Sequence, residues 1–374
     1  LCAQYFKENY PDLNWAIAGR NADKLKELKE ELNLECDIFV ADSDDYEAIK
    51  NFVSQTKVVL SAAGPFARYS TKVVEACVEC RTHYTDITGE NHWVRGLIDR
   101  FHEKAALDGT RIVPSCGYDS IPSDLGVYFS VTRSKQPVSH VTVYHSAKGG
   151  ASGGTTETMF TMGPLPKEMR DPFLLNPKDS VSDAQKNKST DDFSVKPIPG
   201  TDAFSGMGLM AFANTRVVRR SAALFDLNQK SYGPDFTFKE LGSYPSKAAA
   251  RITSFVLMSA FLIIATPLRY LVRPFLPKPG DGPDKEARDN GWFRGLFVAN
   301  LEDGTEKRFE IFGSGDPGYK STSKMVCESA LTLAFSEDLP FGSEFGGVLT
   351  SAVGLGDPLI SRLMKAGITF EELS

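Results

Sequence analysis

A doubly wound parallel α/β sheet followed by a second, α+β domain is the fold class that these 374 residues predict. Three observations carry it. Along residues 1–125 short apolar runs alternate with helix-patterned segments, the order that builds parallel strands with crossover helices. The run Val58-Val59-Leu60-Ser61 ends in Ala62-Ala63-Gly64-Pro65-Phe66, small residues at the carboxyl end of a buried strand, where open α/β sheets take their ligands. From Val138 the pattern turns to alternation through Val141 and Val143, the mark of an antiparallel sheet, which sets a domain boundary near residue 135.

In chain order, a helix is expected over 1–10, stopping before Pro11, then a strand over 15–19 that ends in Gly19-Arg20-Asn21. A charged helix over 22–32 keeps Leu25, Leu28 and Leu32 on one face. A strand over 36–40, closed by Ala41-Asp42-Ser43-Asp44, and a helix over 46–55 lead into the strand 58–61, and a helix over 70–76 follows it. Thr82 to Glu90 reads as a strand running into a loop, and a helix covers 91–108. Arg111-Ile112-Val113 then delivers Pro114-Ser115-Cys116-Gly117-Tyr118-Asp119, with Ser120 or Ser123 capping a helix from Asp124. Past the boundary, the glycine-rich stretch 148–154 precedes a helix start at Thr155 and suits an anion site or a lid. Residues 166–200 read as a mobile polar insertion, 203–211 and 217–223 as strands, 279–290 as a linker, 297–299 and 307–312 as strands, and 325–335 as a helix.

In a doubly wound sheet the residue after the second strand stands beside the adenosine ribose; an acid there prefers NAD, and an arginine accommodates the 2′-phosphate of NADP. This chain has Gly19-Arg20, so Arg20 is a phosphate-binding candidate, with Asp42 and Ser43 flanking the adenine. Ala62, Ala63, Gly64 and Pro65 let a flat cofactor approach the backbone, and Gly89, Cys116 and Gly117 complete the cofactor candidates. Hydride transfer also needs a donor for developing negative charge. Tyr118 and Asp119 are the candidates for proton handling, with Tyr69 behind them.

A formal net charge of −6 excludes a nucleic-acid binder. The six cysteines are too scattered for a disulfide framework and point to a reducing, intracellular compartment. Cys77 and Cys80 form a lone CxxC in a helix-like run, which reads as packing, and no metal site is expected. Residues 252–268 carry no charge and lie between Arg251 and Arg269; as a helix they reach roughly 25 Å, short of a hydrocarbon core of about 30 Å. Together with the apolar and basic residues up to 276 they suit a segment lying in a lipid interface, with a buried core helix as the alternative.

Taken together, Ala18-Gly19-Arg20, Ala62-Ala63-Gly64-Pro65-Phe66, Tyr84-Thr85-Asp86-Ile87-Thr88-Gly89-Glu90 and Cys116-Gly117-Tyr118-Asp119-Ser120-Ile121-Pro122-Ser123-Asp124 resemble the saccharopine dehydrogenase-like oxidoreductases, close to the trans-acting enoyl reductases. Gly315-Asp316-Pro317-Gly318-Tyr319 and Gly346-Gly347-Val348-Leu349-Thr350 extend the resemblance over nearly the whole chain. It implies an NADP-type Rossmann domain, a substrate domain, a lipid-related substrate reduced at an enoyl or keto carbon, and association with a membrane or lipid-droplet surface. A homo-oligomer is compatible with it. The alternatives are a lipid-surface protein that keeps the scaffold without turnover and a saccharopine-type amino acid dehydrogenase. One departure stands out: the family opens with a strand and a glycine-rich phosphate loop before the helix that here starts at Leu1, and both are missing. The expectation is a fragment whose strands 15–19 and 58–61 cannot pair directly, poorly soluble alone and weak in dinucleotide binding.

Overall fold

The computed structural model describes residues 1–149, 170–189, 193–273 and 282–374, and its parallel strands come in two pieces. β1 (Ala16–Gly19) pairs with β2 (Asp37–Val40). β3 (Val58–Ser61), β4 (His83–Asp86) and β5 (Arg111–Val113) pair in parallel in that order. β1 and β3 share no ladder, as expected for those two strands. The crossover helices start where side chains can cap them: Asn21 accepts from the Lys24 N–H at 3.0 Å before helix Ala22–Glu31, and Asp45 accepts from Ala48 at 3.0 Å before helix Tyr46–Val53.

The second sheet is built from β6 (Val138–Lys148), β7 (Phe204–Gly206), β8 (Thr237–Tyr244), β9 (Trp292–Leu301) and β10 (Glu306–Ser314). After them the chain returns to the first sheet, where β11 (Gly347–Val348) pairs with β5, and ends in β12 (Ile368–Leu373) on the edge of the second, whose order is β12-β10-β9-β6-β8-β7. Its pairs are antiparallel except β6 with β8, so the antiparallel sheet read from the alternation is in fact mixed. Helix Ile121–Ser134 lies on this sheet and brings the two halves together. It approaches so closely that a Cβ on Gly126 would sit 2.1 Å from the Phe297 ring.

Two buried arginines tie the returning segment down through carbonyl groups. Arg111 donates to the carbonyls of Gly354, Pro340 and Gly342 at 2.6–2.8 Å. Arg220 reaches Leu175 and Val348. A planar guanidinium with five donors can satisfy several orphan carbonyls at once, which offsets part of its desolvation.

Some sequence expectations are corrected here. Residues 217–223 are not a strand but the interior of helix Ala211–Leu227; its Arg219 and Arg220 are buried because they bind carbonyls of Pro172 and Leu175. The described part of the polar insertion is accordingly anchored, with Leu175 and Ile198 in the core. The helix starts at Ile121 rather than at Asp124; Ser120 stands at its N-cap position, but its side chain donates to Asn214 instead of to the helix start, and Ser123 lies inside the first turn. The expected helix start at Thr155 and most of the glycine-rich stretch lie outside the described residues. Most of the uncharged run lies in helix Lys247–Ile264, and a short helix, Arg269–Val272, begins just after it.

Candidate functional site

Of the cofactor candidates, Arg20, Asp42, Ser43 and Ala62 to Pro65 follow the carboxyl ends of β1, β2 and β3, whereas Gly89 follows β4, and Cys116 and Gly117 follow β5. Arg20 follows β1 and is exposed, and its guanidinium lies over the Tyr69 ring, 5.7 Å from the centroid. Arg68, absent from the sequence-derived candidates, sits 5.2 Å over the same ring. Two exposed cations beside one aromatic ring supply the kind of charge and stacking surface that a phosphate-bearing ribose would need. Asp42 and Ser43 follow β2, whose end is joined to Gly19 by the Ala41 N–H at 3.0 Å, so they stand next to Arg20. Asp42 also accepts from the Asp44 N–H at 2.9 Å. Beyond the buried Ser61, Ala62, Ala63 and Gly64 are exposed and present almost bare backbone. Pro65 leads into the short helix Phe66–Tyr69, which carries Arg68 and Tyr69. Tyr69 therefore belongs with the arginines.

Glu90 fixes that turn. Its buried carboxylate accepts from the N–H groups of Phe66 at 2.7 Å and Ala67 at 3.1 Å, groups that a helix start leaves without internal partners. One residue earlier, a Cβ on Gly89 would lie 3.6 Å from Asp119 Oδ2 and 3.9 Å from the Met210 methyl. Residues 89 and 90 thus join the arginine end of the site to its Asp119 end.

Asp86, at the end of β4, organises the loop after β5. It accepts from the N–H groups of Thr88 and Ser115 and from the Tyr84 hydroxyl, all at 2.9 Å, while its carbonyl takes the Cys116 N–H at 2.6 Å. Burial raises its carboxyl to about 7 against the pull of those donors. Ser115 is held at φ 63, in the left-handed region that a non-glycine residue enters at a cost. Cys116 and Gly117 are buried, Gly117 packing against Thr322 and Ile87, so both shape the loop from inside. The loop presents Tyr118 and Asp119, both half-buried. The Tyr118 ring meets Phe293 and His145 edge-on at 5.2 and 6.2 Å. Burial raises the Tyr118 phenol above its ordinary range and Asp119 to about 6.

Behind Tyr118 lies a polar network that no local motif announced. Glu240 of β8 takes the Ser123 hydroxyl at 2.7 Å on one oxygen and the Asn214 amide at 2.9 Å on the other. Ser123 Oγ is 2.9 Å from His145 Nε2, and Ser120 donates to Asn214 at 3.2 Å. Burial pushes Glu240 up to about 7 and His145 down to about 4. The only available sequence signal was Glu240 itself, an acid between Phe238 and Leu241 in a strand.

Residues 1–113 match the saccharopine dehydrogenase NADP binding domain. A trans-acting enoyl reductase of Mycobacterium ulcerans is 32% identical, the alignment covering 98% of this chain and 93% of that protein. A candidate trans-acting enoyl reductase of Mycobacterium tuberculosis is 33% identical, with 99% and 94% covered. The chain belongs to the saccharopine dehydrogenase-like oxidoreductases. The fold agrees: the apo saccharopine dehydrogenase (L-Glu forming) of Saccharomyces cerevisiae superposes with a TM-score of 0.54 at 13% identity, over 100% of this chain and 98% of that one. This saccharopine dehydrogenase-like protein is an NAD(P)-dependent oxidoreductase whose cofactor is NADP. Its residues fit that group: the two guanidiniums around Tyr69 offer charge for a 2′-phosphate, and the exposed Ala62-Ala63-Gly64 backbone offers close approach. Arg20, Arg68 and the 62–65 loop would hold it. Among the described residues no cluster of three metal-ligating side chains occurs, and all six cysteines are free.

Proposed function

We propose that this oxidoreductase reduces an enoyl or keto carbon of a lipid-like substrate with NADPH while resting on a membrane or lipid-droplet surface. One observation carries the reading: the apolar helix and the Asp119 end of the site share a wall. Helix Lys247–Ile264 buries only Ala250 and turns Ile252, Phe255, Val256 and Leu262 outward, Phe255 being 73% exposed. Its inner side is tied to the segment before helix Ala211–Leu227 and to that helix's first turn: Ser254 Oγ accepts the Met207 N–H at 2.9 Å, and Phe261 packs on Phe212 at 5.6 Å. Met210 of that same segment lies against Gly89 and thereby next to Asp119. An apolar face of this kind, on a helix lashed along its length to the protein, suits the interface plane, and an acyl chain leaving it meets the site within one loop.

When bound, the reduced nicotinamide supplies the hydride. The protein's part is to position the substrate and hold a proton. Tyr118, whose phenol stays protonated across the physiological range, can donate to an oxygen that gains negative charge, and Asp119 titrates beside it near pH 6. The enoyl reductase names of the relatives favour the carbon–carbon double bond over the carbonyl. The test is NADPH consumption with 2-enoyl and 3-keto acyl thioesters presented in vesicles. Oxidation coupled to saturation of the enoyl chain is the expected result. Vesicle binding without any NADPH consumption would make the protein a non-catalytic surface protein instead, and turnover with an amino acid and a 2-oxo acid would move it to saccharopine-type chemistry.

A further inference from the structure

The buried network of Ser123, His145, Glu240 and Asn214 has no share in the roles described so far, yet it occupies the floor of the Tyr118 wall. We propose that Glu240, Ser123 and His145 form a proton relay serving the reduction site, Glu240 holding the proton and Ser123 passing it to His145. The proposal rests on the reductase reading above and adds the residues that move charge within it.

The hydrogen-bond arithmetic leads there. A serine hydroxyl has one proton to donate, and Ser123 Oγ lies within reach of two acceptors, Glu240 Oε2 at 2.7 Å and His145 Nε2 at 2.9 Å. Asn214 donates to the same Oγ at 3.3 Å and to Glu240 Oε1 at 2.9 Å, and its own carbonyl is held by Ser120, so the amide orientation is set from outside the relay. Two arrangements satisfy every contact. In the first, Glu240 is a neutral acid donating to Ser123, which donates to a neutral imidazole. In the second, Ser123 donates to a carboxylate and accepts from Nε2–H.

The step between them breaks the Glu240 O–H and Ser123 O–H bonds and forms a new Ser123 O–H and a His145 Nε2–H. No electrons change hands, and the total proton count is unchanged. Its result is an imidazolium where a neutral ring stood, with its ring 6.2 Å from that of Tyr118, the proposed proton donor. Among the described residues, the other titratable groups turned toward Glu240 are Asp119 and Tyr118 from the loop after β5; the helix above it contributes Ser123, and the helix beside it Asn214. The resting arrangement is neutral, in keeping with the low cost of burying a protonated acid compared with a charged one. Glu240 and His145 are positioning residues in this scheme, since neither is shown against a reacting atom.

The test separates the relay from the reductase reading. Infrared difference spectra of the native protein minus Glu240→Gln, without substrate, are expected to show a protonated carboxyl band at pH 6 that disappears by about pH 8, following the titration of Glu240 near 7. Its absence at pH 6 would overturn the relay whatever the substrate proves to be. Ser123→Ala, checked for native circular dichroism, should keep that band and yet lower kcat about tenfold or more with little change in KM, the size expected for one proton-handling group. It should also remove the limb near 7 from the pH–rate profile. Native rates and an unchanged profile in both variants would show a purely structural network and end the proposal.

Discussion

At the scale of single residues, Arg20 and Gly126 make contrasting predictions. Arg20 could be singled out from sequence because the candidacy depends on position alone, the first residue past a strand. Replacing it by alanine is expected to weaken NADPH binding by about 1.5–3 kcal/mol, the range of a charge-assisted contact, and to leave NADH binding nearly unchanged. Calorimetry with both cofactors checks this, and equal losses would remove Arg20 from the site. Arg68 was not legible, since its guanidinium reaches the site only by way of Glu90 holding the turn from 22 or more residues away. Gly126→Ala would drive a methyl into the Phe297 ring, a ring wedged in a full core; a loss of about 1–3 kcal/mol is expected by denaturant titration, and native stability would mean the helix can slide off the sheet. The network around Glu240 escaped sequence reading for a similar reason. Its members come from 120, 123, 145, 214 and 240, and each alone looks like an ordinary polar residue in a loop, helix or strand.

Elements were easier to read where their periodicity is strong, as in Ala22–Glu31 and Asn91–Leu107, and harder where tertiary contacts decide. Val217 and Val218 beside two arginines look like an edge strand, yet helix Ala211–Leu227 forms because neighbouring carbonyls accept from those arginines and allow the whole turn to be buried. β11 has two residues, too few for any period. Helix Lys247–Ile264 is the element on which the surface reading turns. Replacing Phe255, Val256 and Leu262 by serine should release the protein from anionic vesicles in flotation while shifting its melting temperature little, because these side chains are 56–73% exposed. A large loss of stability with vesicle binding retained would identify the face as core.

Across the whole molecule, buried acids and buried histidines oppose one another. Burial raises Asp86 and Glu240 to about 7 and Asp119 and Asp124 to about 6. The native state therefore keeps protons that the unfolded chain has released above about pH 4, and stability from this set falls as pH rises through the window. Burial lowers His83, His102, His140 and His145 to about 4. The unfolded chain binds those protons from about pH 6.5 downward, so stability from this set falls as pH falls. With ordinary values near 4 for the acids and about 6.5 for the histidines, the histidines of the unfolded chain and the acids of the native one hold nearly equal excess protons from about pH 5 to 7.5, so the two sets offset each other across that whole range. Melting temperatures are expected to run nearly level across it, whereas Glu240→Gln removes one raised acid, leaves the histidine set ahead and should give a melting temperature that rises with pH. A steep change in the native melting temperature between about pH 5 and 7.5, or a Glu240→Gln profile that falls with pH, would contradict this balance.

The central claim is that the arginine end, the Tyr118–Asp119 loop and the apolar helix work as one reductase at a lipid surface. The most direct measurement follows NADPH absorbance with a long-chain 2-enoyl thioester, free and in vesicles, for the native protein and for the serine-substituted helix face. The account predicts NADPH consumption matched mole for mole by the saturated product. It also predicts a vesicle rate that falls about tenfold in the substituted protein, with the rate on a short soluble thioester preserved. NADPH bound with native affinity but never consumed, on either substrate form, would contradict it.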